Sequence, residues 1–282
     1  MLIYIMTSKN IISYQTIFSQ QIYLNSSTSM LMNGTLKSFV HFFIQDALND
    51  KRNNTIEQRV SLVNAQIPCS FYQINNNNNQ IIINGINYTF PNGNYNVNNF
   101  ISTWYSVIGS TWLLTFSSIT NKLIFTFTSV FTFSDQLTNS IFPVIGFTPG
   151  ISYSCIGSTL QAPYPVNFSG LPRILVSSPT FSLNSRCANA EATMSSIIGA
   201  IPINSLNNGI IYYTNYTNYK SIFSSYELSF ITIMLQDDND NMIDMNNIDW
   251  AMTLQIDTVV EVVKSLDNLN DIYENAINEL QN

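Results

Sequence analysis

Charge is what this chain has least of. Only 10% of its 282 residues are Asp, Glu, Lys or Arg, against a usual share of ~25%. Asn, Ser and Thr fill the gap, with 38 asparagines in the chain. Ten Lys plus Arg against seventeen Asp plus Glu leave a net charge of −7. Binding a phosphate backbone needs clustered cations, so no direct nucleic-acid contact is expected. Histidine and cysteine are also scarce. His41 stands alone, and Cys69, Cys155 and Cys187 are too far apart for a zinc set. Three thiols cannot all pair within one chain and no Cys-x-x-Cys occurs, which fits buried free thiols in a reducing, cytosolic setting. No glycine loop followed by Lys and a helix cradles phosphate, so no cofactor is expected. Long apolar runs are missing too. No charge occurs between Arg59 and Lys122, yet Asn, Ser, Thr and Gln interrupt that stretch far short of the ~20 residues a spanning helix needs. The run Met1 to Met6 lacks the basic flank and the length of an export signal.

What is present is apolar and aromatic: 45% hydrophobic residues, 13% aromatic. That supplies one large core or two modest ones, burying roughly 75% of the unfolded surface. The dominant period is two. IFTFTSVFTF, Ile124 to Phe133, alternates apolar side chains with Thr and Ser, as in a strand with one buried and one wetted face. Similar strands are predicted for Ile17 to Leu24, Leu36 to Ile44, Ile56 to Ile67, Gln80 to Phe90, Ile174 to Phe181, Ile210 to Thr214, Tyr226 to Gln236 and Trp250 to Ile256. With no alternation of helix and strand, a mainly β sandwich or barrel is favoured; laid out as a single jelly-roll β-sandwich, it carries a β-rich inserted domain and a C-terminal α-helix. Such a jelly roll needs fewer residues than this chain has. Prolines crowd the middle, at Pro143, Pro149, Pro163, Pro165, Pro172 and Pro179, and suit a boundary. The expected layout is therefore 1–74 and 163–257 for the jelly roll, 75–162 for the insertion and 258–282 for the helix. Within the insertion, Asn75 to Asn79 reads as a hairpin tip, and apolar residues at Tyr95, Val97, Phe100, Ile101 and Trp104 predict a short helix over 97–108.

The terminal helix is predicted from apolar residues at Val259, Val262, Leu266, Leu269, Tyr273, Ala276 and Leu280, spaced by threes and fours, with Asp257 or Thr258 as cap. Val260, Val263, Ile272 and Ile277 widen the stripe. Val259, Val262, Leu266, Leu269, Tyr273 and Leu280 are thus candidate contacts for a partner, and docking on the chain's own sandwich is equally open.

No catalytic, cofactor-binding or metal-binding residue is assigned. DDNDNMID, Asp237 to Asp244, alternates oxygen ligands, but Met242 replaces the glycine of a calcium loop and Ile248 its bidentate carboxylate. A solvated turn between Ile231 to Gln236 and Trp250 to Ile256 is the simpler reading; a loose divalent-cation site is the other. His41 sits in LKSFVHFFIQ, where a structural role is expected. Asp46, Asp50, Glu57, Asp135, Glu191 and Glu227 form no pair for glycosidase chemistry. In YYTNYTNY, Tyr212, Tyr213, Tyr216 and Tyr219 suit glycan or protein contact, and equally an edge strand with outward tyrosines.

Two stretches carry a resemblance. Ser225 to Ile256, SYELSFITIMLQDDNDNMIDMNNIDWAMTLQI, couples a long alternating strand, an acidic turn, an Ile-Asp pair, an Asn-rich kink and a Trp entering the last strand. Asn64 to Asn75, NAQIPCSFYQIN, is followed by GNYNV from Gly93 and by the pair Gly146-Phe147. Together they resemble the penton proteins of virophages and of Maverick/Polinton-type double-jelly-roll viruses, over about two thirds of the chain. Asn247 stands where Gly is expected before the Trp strand, and Cys69 where an aromatic is common; Asn tolerates the left-handed backbone nearly as Gly does. The resemblance implies a non-enzymatic minor capsid protein of the virion, a homopentamer at the vertex beside trimers of the major capsid protein, assembled in host cytoplasm. It transfers no catalytic residue and says nothing about the terminal helix. Two alternatives are a fibre- or spike-like module that binds host glycans and a hydrolase with an unrecognised carboxylate pair.

Overall fold

Paired extended segments dominate the computed structural model, which describes residues 3–4, 11–31, 36–44, 55–135, 138–181, 196–223 and 228–265. The protein is mainly β. It divides into two compact units, one made of Met1–Cys69 and Arg173–Asn282, the other of Ser70–Pro172. The expected insertion, 75–162, falls inside the second unit, whose borders lie further out on both sides.

Among the described residues the eight longest strands of the first unit are β1 (Ile11–Asn25), β2 (Phe39–Phe43), β3 (Thr55–Pro68), β4 (Arg173–Ser177), β5 (Ile197–Pro202), β6 (Ile210–Thr214), β7 (Phe230–Gln236) and β8 (Ala251–Ser265); Ile3–Tyr4, Met30–Leu31 and Ser221–Phe223 are short additions at the sheet edges. One antiparallel sheet runs β1-β8-β3-β6, with Ser221–Phe223 also along β3; the other runs β5-β4-β7-β2. Period-two patterning places the buried side chains. Ile231, Ile233 and Leu235 of β7, Val40 and Phe42 of β2, and Met252, Leu254 and Ile256 of β8 are all buried. On β3 the buried set changes from Val60 and Leu62 to Ala65 and Ile67, because the register against β8 shifts between Thr253 and Leu254. Side chains of the two sheets meet edge to face, Phe42 on Trp250 at 6.0 Å and Phe181 on Phe223 at 4.9 Å. Gly199 of β5 leaves room for Leu62, whose Cδ2 would lie 2.9 Å from a Cβ there.

β8 corrects the helix expected from Thr258. It continues as a strand to Ser265, paired with β1 from Ala251↔Asn25 to Ser265↔Ile11 and with β3 from Ala251↔Gln66 to Val260↔Thr55. Thr258, Val259, Val260, Val262 and Val263 are β-branched, which lowers helix propensity and suits a pleated surface. The three-and-four spacing of Val259 and Val262 was coincidental there. Leu266, Leu269, Tyr273 and Leu280 lie outside the described residues, as does Cys187.

The second unit holds a four-stranded sheet, in order Tyr153–Ser154, Thr132–Ser134, Gln80–Ile83, Ile86–Thr89, and a three-stranded one, Thr159–Gln161, Lys122–Thr126, Leu113–Ser117. The single strand expected over Ile124 to Phe133 is two. Lys122–Thr126 and Thr132–Ser134 belong to different sheets, and the crossing lets Phe125 and Phe133 pack edge to face at 5.0 Å. Gln80 to Phe90 is likewise a hairpin, turned at Asn84-Gly85 with φ of 49° and 82°. Asn75 to Asn79 is therefore not its tip. It is a side turn stitched by its own side chains, Asn75 N to Asn78 Oδ1 (2.7 Å) and Asn77 N to Asn75 Oδ1 (2.9 Å). A helix, α1 (Val97–Val107), starts at a reciprocal cap between Asn96 and Asn99 and buries Phe100 and Trp104 in an aromatic core with Phe90, Trp112, Phe125 and Phe133. Gly146, at φ 86°, lies where a Cβ would come within 2.2 Å of the Tyr164 carbonyl oxygen.

A proline at Val260 separates strand from helix. In the first turn of a helix it is tolerated; in a strand paired on both sides it removes a ladder bond and costs ~3 kcal/mol or more. Val260→Pro is expected to lower the thermal midpoint by roughly 6–12 °C, measured by circular dichroism; an unchanged midpoint would restore the helix.

Candidate functional site

The segment leading into β8 is a junction built from the chain's few charges. Asn246 and Asn247 take left-handed backbone, φ 49° and 59°, so Asn247 does what a glycine would. Trp250 then locks in. Its Nε1–H donates to the Lys37 carbonyl (2.8 Å), its backbone N–H to Ser26 Oγ (2.9 Å), and its carbonyl accepts from Ser26 N (2.9 Å). Ser26 Oγ donates to Asp249 Oδ1 at 2.9 Å, and Lys37 forms an ion pair with the same oxygen. The hydrogen bond from Lys37, with help from Ser26, holds the Asp249 carboxyl below the usual carboxylate range. The end of β1 and the entry to β2 are thereby tied to the start of β8.

Upstream, the acidic turn closes on itself. The Asp237 carboxylate accepts from Asn239 N (2.8 Å), Asn241 N (2.9 Å) and Asn241 Nδ2 (3.0 Å), while Asp238 pairs with Arg173 at 2.7 Å. The hairpin expected between the flanking strands is not formed, because β7 and β8 belong to different sheets. Among the described residues no group of three or more His, Cys, Asp or Glu side chains is placed to hold a metal ion.

Among the described residues Asp257 is the least exposed acid. At 1% exposure on β8, it accepts from Ser19 Oγ (2.6 Å), Gln255 Nε2 (2.8 Å) and Lys220 Nζ (2.5 Å). Burial pushes its carboxyl up; these donors outweigh burial and hold it below its ordinary value. The sequence offers Asp257 or Thr258 as a helix cap and does not show the network, since Ser19 and Lys220 are remote in sequence. Cys69 and Cys155 are buried free thiols, and burial pushes the Cys69 thiol up.

Two surfaces stand out. In the first, Tyr212 on β6 and Tyr216 and Tyr219 on the following loop are exposed, Tyr216 to 88%. Asn215 braces the loop through Nδ2 to the Tyr219 carbonyl at 3.0 Å. Tyr213 does not join them: paired with buried Ala65, it is half-buried, and burial pushes its phenol up. In the second, β2 and β7 carry aromatics on the face opposite Val40 and Phe42. Phe43 (73% exposed) lies across from Phe230, and His41 across from Thr232, whose Oγ1 is 3.1 Å from His41 Nδ1. The rings of Phe39 and Phe230 stand 6.4 and 5.4 Å from His41, and Met30 adjoins as an exposed neighbour. The signal was legible: FVHFF is apolar at both phases of the alternation. Val259, a candidate partner contact, is instead buried within the chain, and Val262 is half-buried.

No protein-family model matches the sequence, and no curated protein does. In three dimensions the chain is similar to the mavirus penton protein. Identity is 12% and the TM-score 0.43, over 85% of this chain and 100% of that one. A chain of the Sputnik virophage structure is similar at 11% identity and TM-score 0.42, over 86% of this chain and 98% of that one. Penton proteins of virophages are the family whose motifs Ser225 to Ile256 and Asn64 to Asn75 resemble.

The Asp257 network fixes a pH dependence. Its folded carboxyl lies below the unfolded value of ~3.9, so its contribution is fully present above that value and is lost as pH falls through the folded one. Lys220→Met is expected to destabilise the protein at neutral pH by about 1–3 kcal/mol, by stranding a buried carboxylate. The deficit should shrink below pH ~4 as Asp257 takes up a proton; denaturant titrations at both pH values check it, and a pH-independent deficit would contradict the network.

Proposed function

We propose that this chain is a structural, non-catalytic capsid protein built on a single jelly roll, and that five copies close a vertex of an icosahedral shell beside trimers of a major capsid protein. The strand order carries the reading. In chain order the eight strands pair 1 with 8, 2 with 7, 3 with 6 and 4 with 5, and lie as 1-8-3-6 and 2-7-4-5. This order supports the winding of an eight-stranded double Greek key. The chain departs between β3 and β4 to form the Ser70–Pro172 unit, which matches an insertion in one jelly-roll loop. The penton-like motifs fall on parts with structural work: the Trp250 junction, and Gly146 under the Tyr164 carbonyl.

Assembly is supported by two further observations. The aromatic face of β2 and β7 leaves Phe43, Phe230 and Met30 in water in a lone chain, as interaction surfaces do. A neutral Asn-, Ser- and Thr-rich surface limits repulsion between copies and offers contacts that salt does not screen. Head-to-tail contacts around a five-fold axis close into a ring. A second reading, a host glycan-binding module, is favoured by one feature, the braced loop that presents Tyr216.

Native mass spectrometry tests the proposal. A ring of five chains of 31.9 kDa has a mass of about 160 kDa. Replacing Phe43 and Phe230 by Ser is expected to shift the population to monomer without lowering the thermal midpoint. A parent that stays monomeric at high concentration, and is absent from particles, would sink the vertex role. Glycan binding lost on Tyr216→Ala would favour the second reading.

A further inference from the structure

We infer that one end of the Ser70–Pro172 unit is an apolar tip that inserts shallowly into neutral lipid. Strand registers bring four separate segments to that end. Ile83 pairs with Ile86 around the Asn84-Gly85 turn. Asn84 N donates to the Thr132 carbonyl (3.0 Å), and Thr132 N to Asn84 Oδ1 (2.9 Å), which sets the 127–131 loop beside that turn. Thr132 pairs with Ser154, just before the 155–158 turn. Thr126 pairs with both Thr159 and Leu113. Ile86, Leu113, Val130 and Ile156 therefore share one end, and their exposure runs from 55% at Leu113 to 95% at Ile156.

The loops at this end are tied to one another through their backbone. Cys155 N donates to the Phe131 carbonyl (3.0 Å), Phe131 N to Cys155 Sγ (3.1 Å), and Phe127 N to the Ser158 carbonyl (2.9 Å); Cys155 Sγ lies 3.5 Å from the Gly157 carbonyl as donor. Loops closed in this way enter an apolar medium without stranding those polar groups. Hydrocarbon is the partner that fits. The four side chains are aliphatic, with no polar handle, whereas protein interfaces centre on Trp, Tyr and Arg, none of which stands at these four positions. Charge plays no part: the unit has one Lys and one Asp, Lys122 and Asp135. Both are engaged away from these loops, Lys122 Nζ with the Pro163 carbonyl at 2.6 Å and Asp135 Oδ2 with Gly150 N at 2.6 Å. Asn84, Asn87, Ser129 and Ser158 flank the tip and limit entry to the headgroup boundary, ~5–10 Å deep.

The test is flotation of the full chain with vesicles of neutral phosphatidylcholine at low and high salt. Binding unchanged by salt is expected, with quenching of tryptophan fluorescence by bromine-labelled lipid, because Trp112 precedes Leu113. Val130→Asn with Ile156→Asn should weaken binding at least about tenfold, while Ile119→Asn, an exposed isoleucine on the turn at the far end of the Leu113–Ser117 hairpin, should bind as the parent does. Ile86→Asn with Leu113→Asn is a second pair should the first fail to fold. A parent that neither floats nor is quenched overturns the inference. So does binding confined to anionic vesicles, binding retained by a folded tip variant, or binding to cell membranes but not to pure lipid, which would mark a protein receptor.

Discussion

The first unit depends on β8 being paired along both edges. Through Val260 it has β1 on one side and β3 on the other, and with β1 alone it continues to Ser265. In the hydrogen-bonded order of the sheet β8 joins β1 to β3, and β6 is attached by way of β3. Two long-range ladders of this kind bring Ile11 beside Ser265 and Thr55 beside Val260, so the unit closes only when chain ends far apart in sequence have met. Contacts of such separation are slow to form and cooperative once made. The Trp250 junction sets their starting register, since Ala251 faces Asn25 and Gln66 in the pair next to it.

That arrangement explains how the few charges are used. Lys37 with Asp249 and Lys220 with Asp257 each join β8 to another part of the unit, and Arg173 with Asp238 ties β4 to the turn after β7. Exposed ion pairs are worth little, but Asp257 is buried and fully hydrogen-bonded, where removal of one partner is costly. Asn, Ser and Thr supply most of the remaining polar side chains. In the proposed assembly such a surface favours contact between copies, because hydrogen bonds and apolar contacts persist where salt would screen charges.

Much of this was legible from residue order. Alternation located most of the long strands, and Ile210 to Thr214 coincides with β6. The apolar spacing after Gly93 located α1 to within a residue. Errors arose where one pattern served two structures. TVVEVV satisfied a three-and-four count for two residues, while its β-branched composition pointed to a strand. IFTFTSVFTF kept its alternation across a change of sheet, because a core between two sheets needs the same period from both. The acidic turn looked like a hairpin since nothing local shows that the strands flanking it lie in different sheets. Asp257's partners, Ser19 and Lys220, become visible only once β8 is placed between β1 and β3. The outward aromatic face was written in FVHFF and was taken for core alone.

The central claim is that this two-sheet unit works by packing against its own copies around a five-fold axis. A cryo-electron microscopy map of assembled particles, at a resolution that shows side chains, tests it most directly. Density for β1 to β8, with Trp250 seated under the Lys37 carbonyl, is expected five times around each vertex. Density for this chain at any other position in the shell, or none in the particle, would contradict the account.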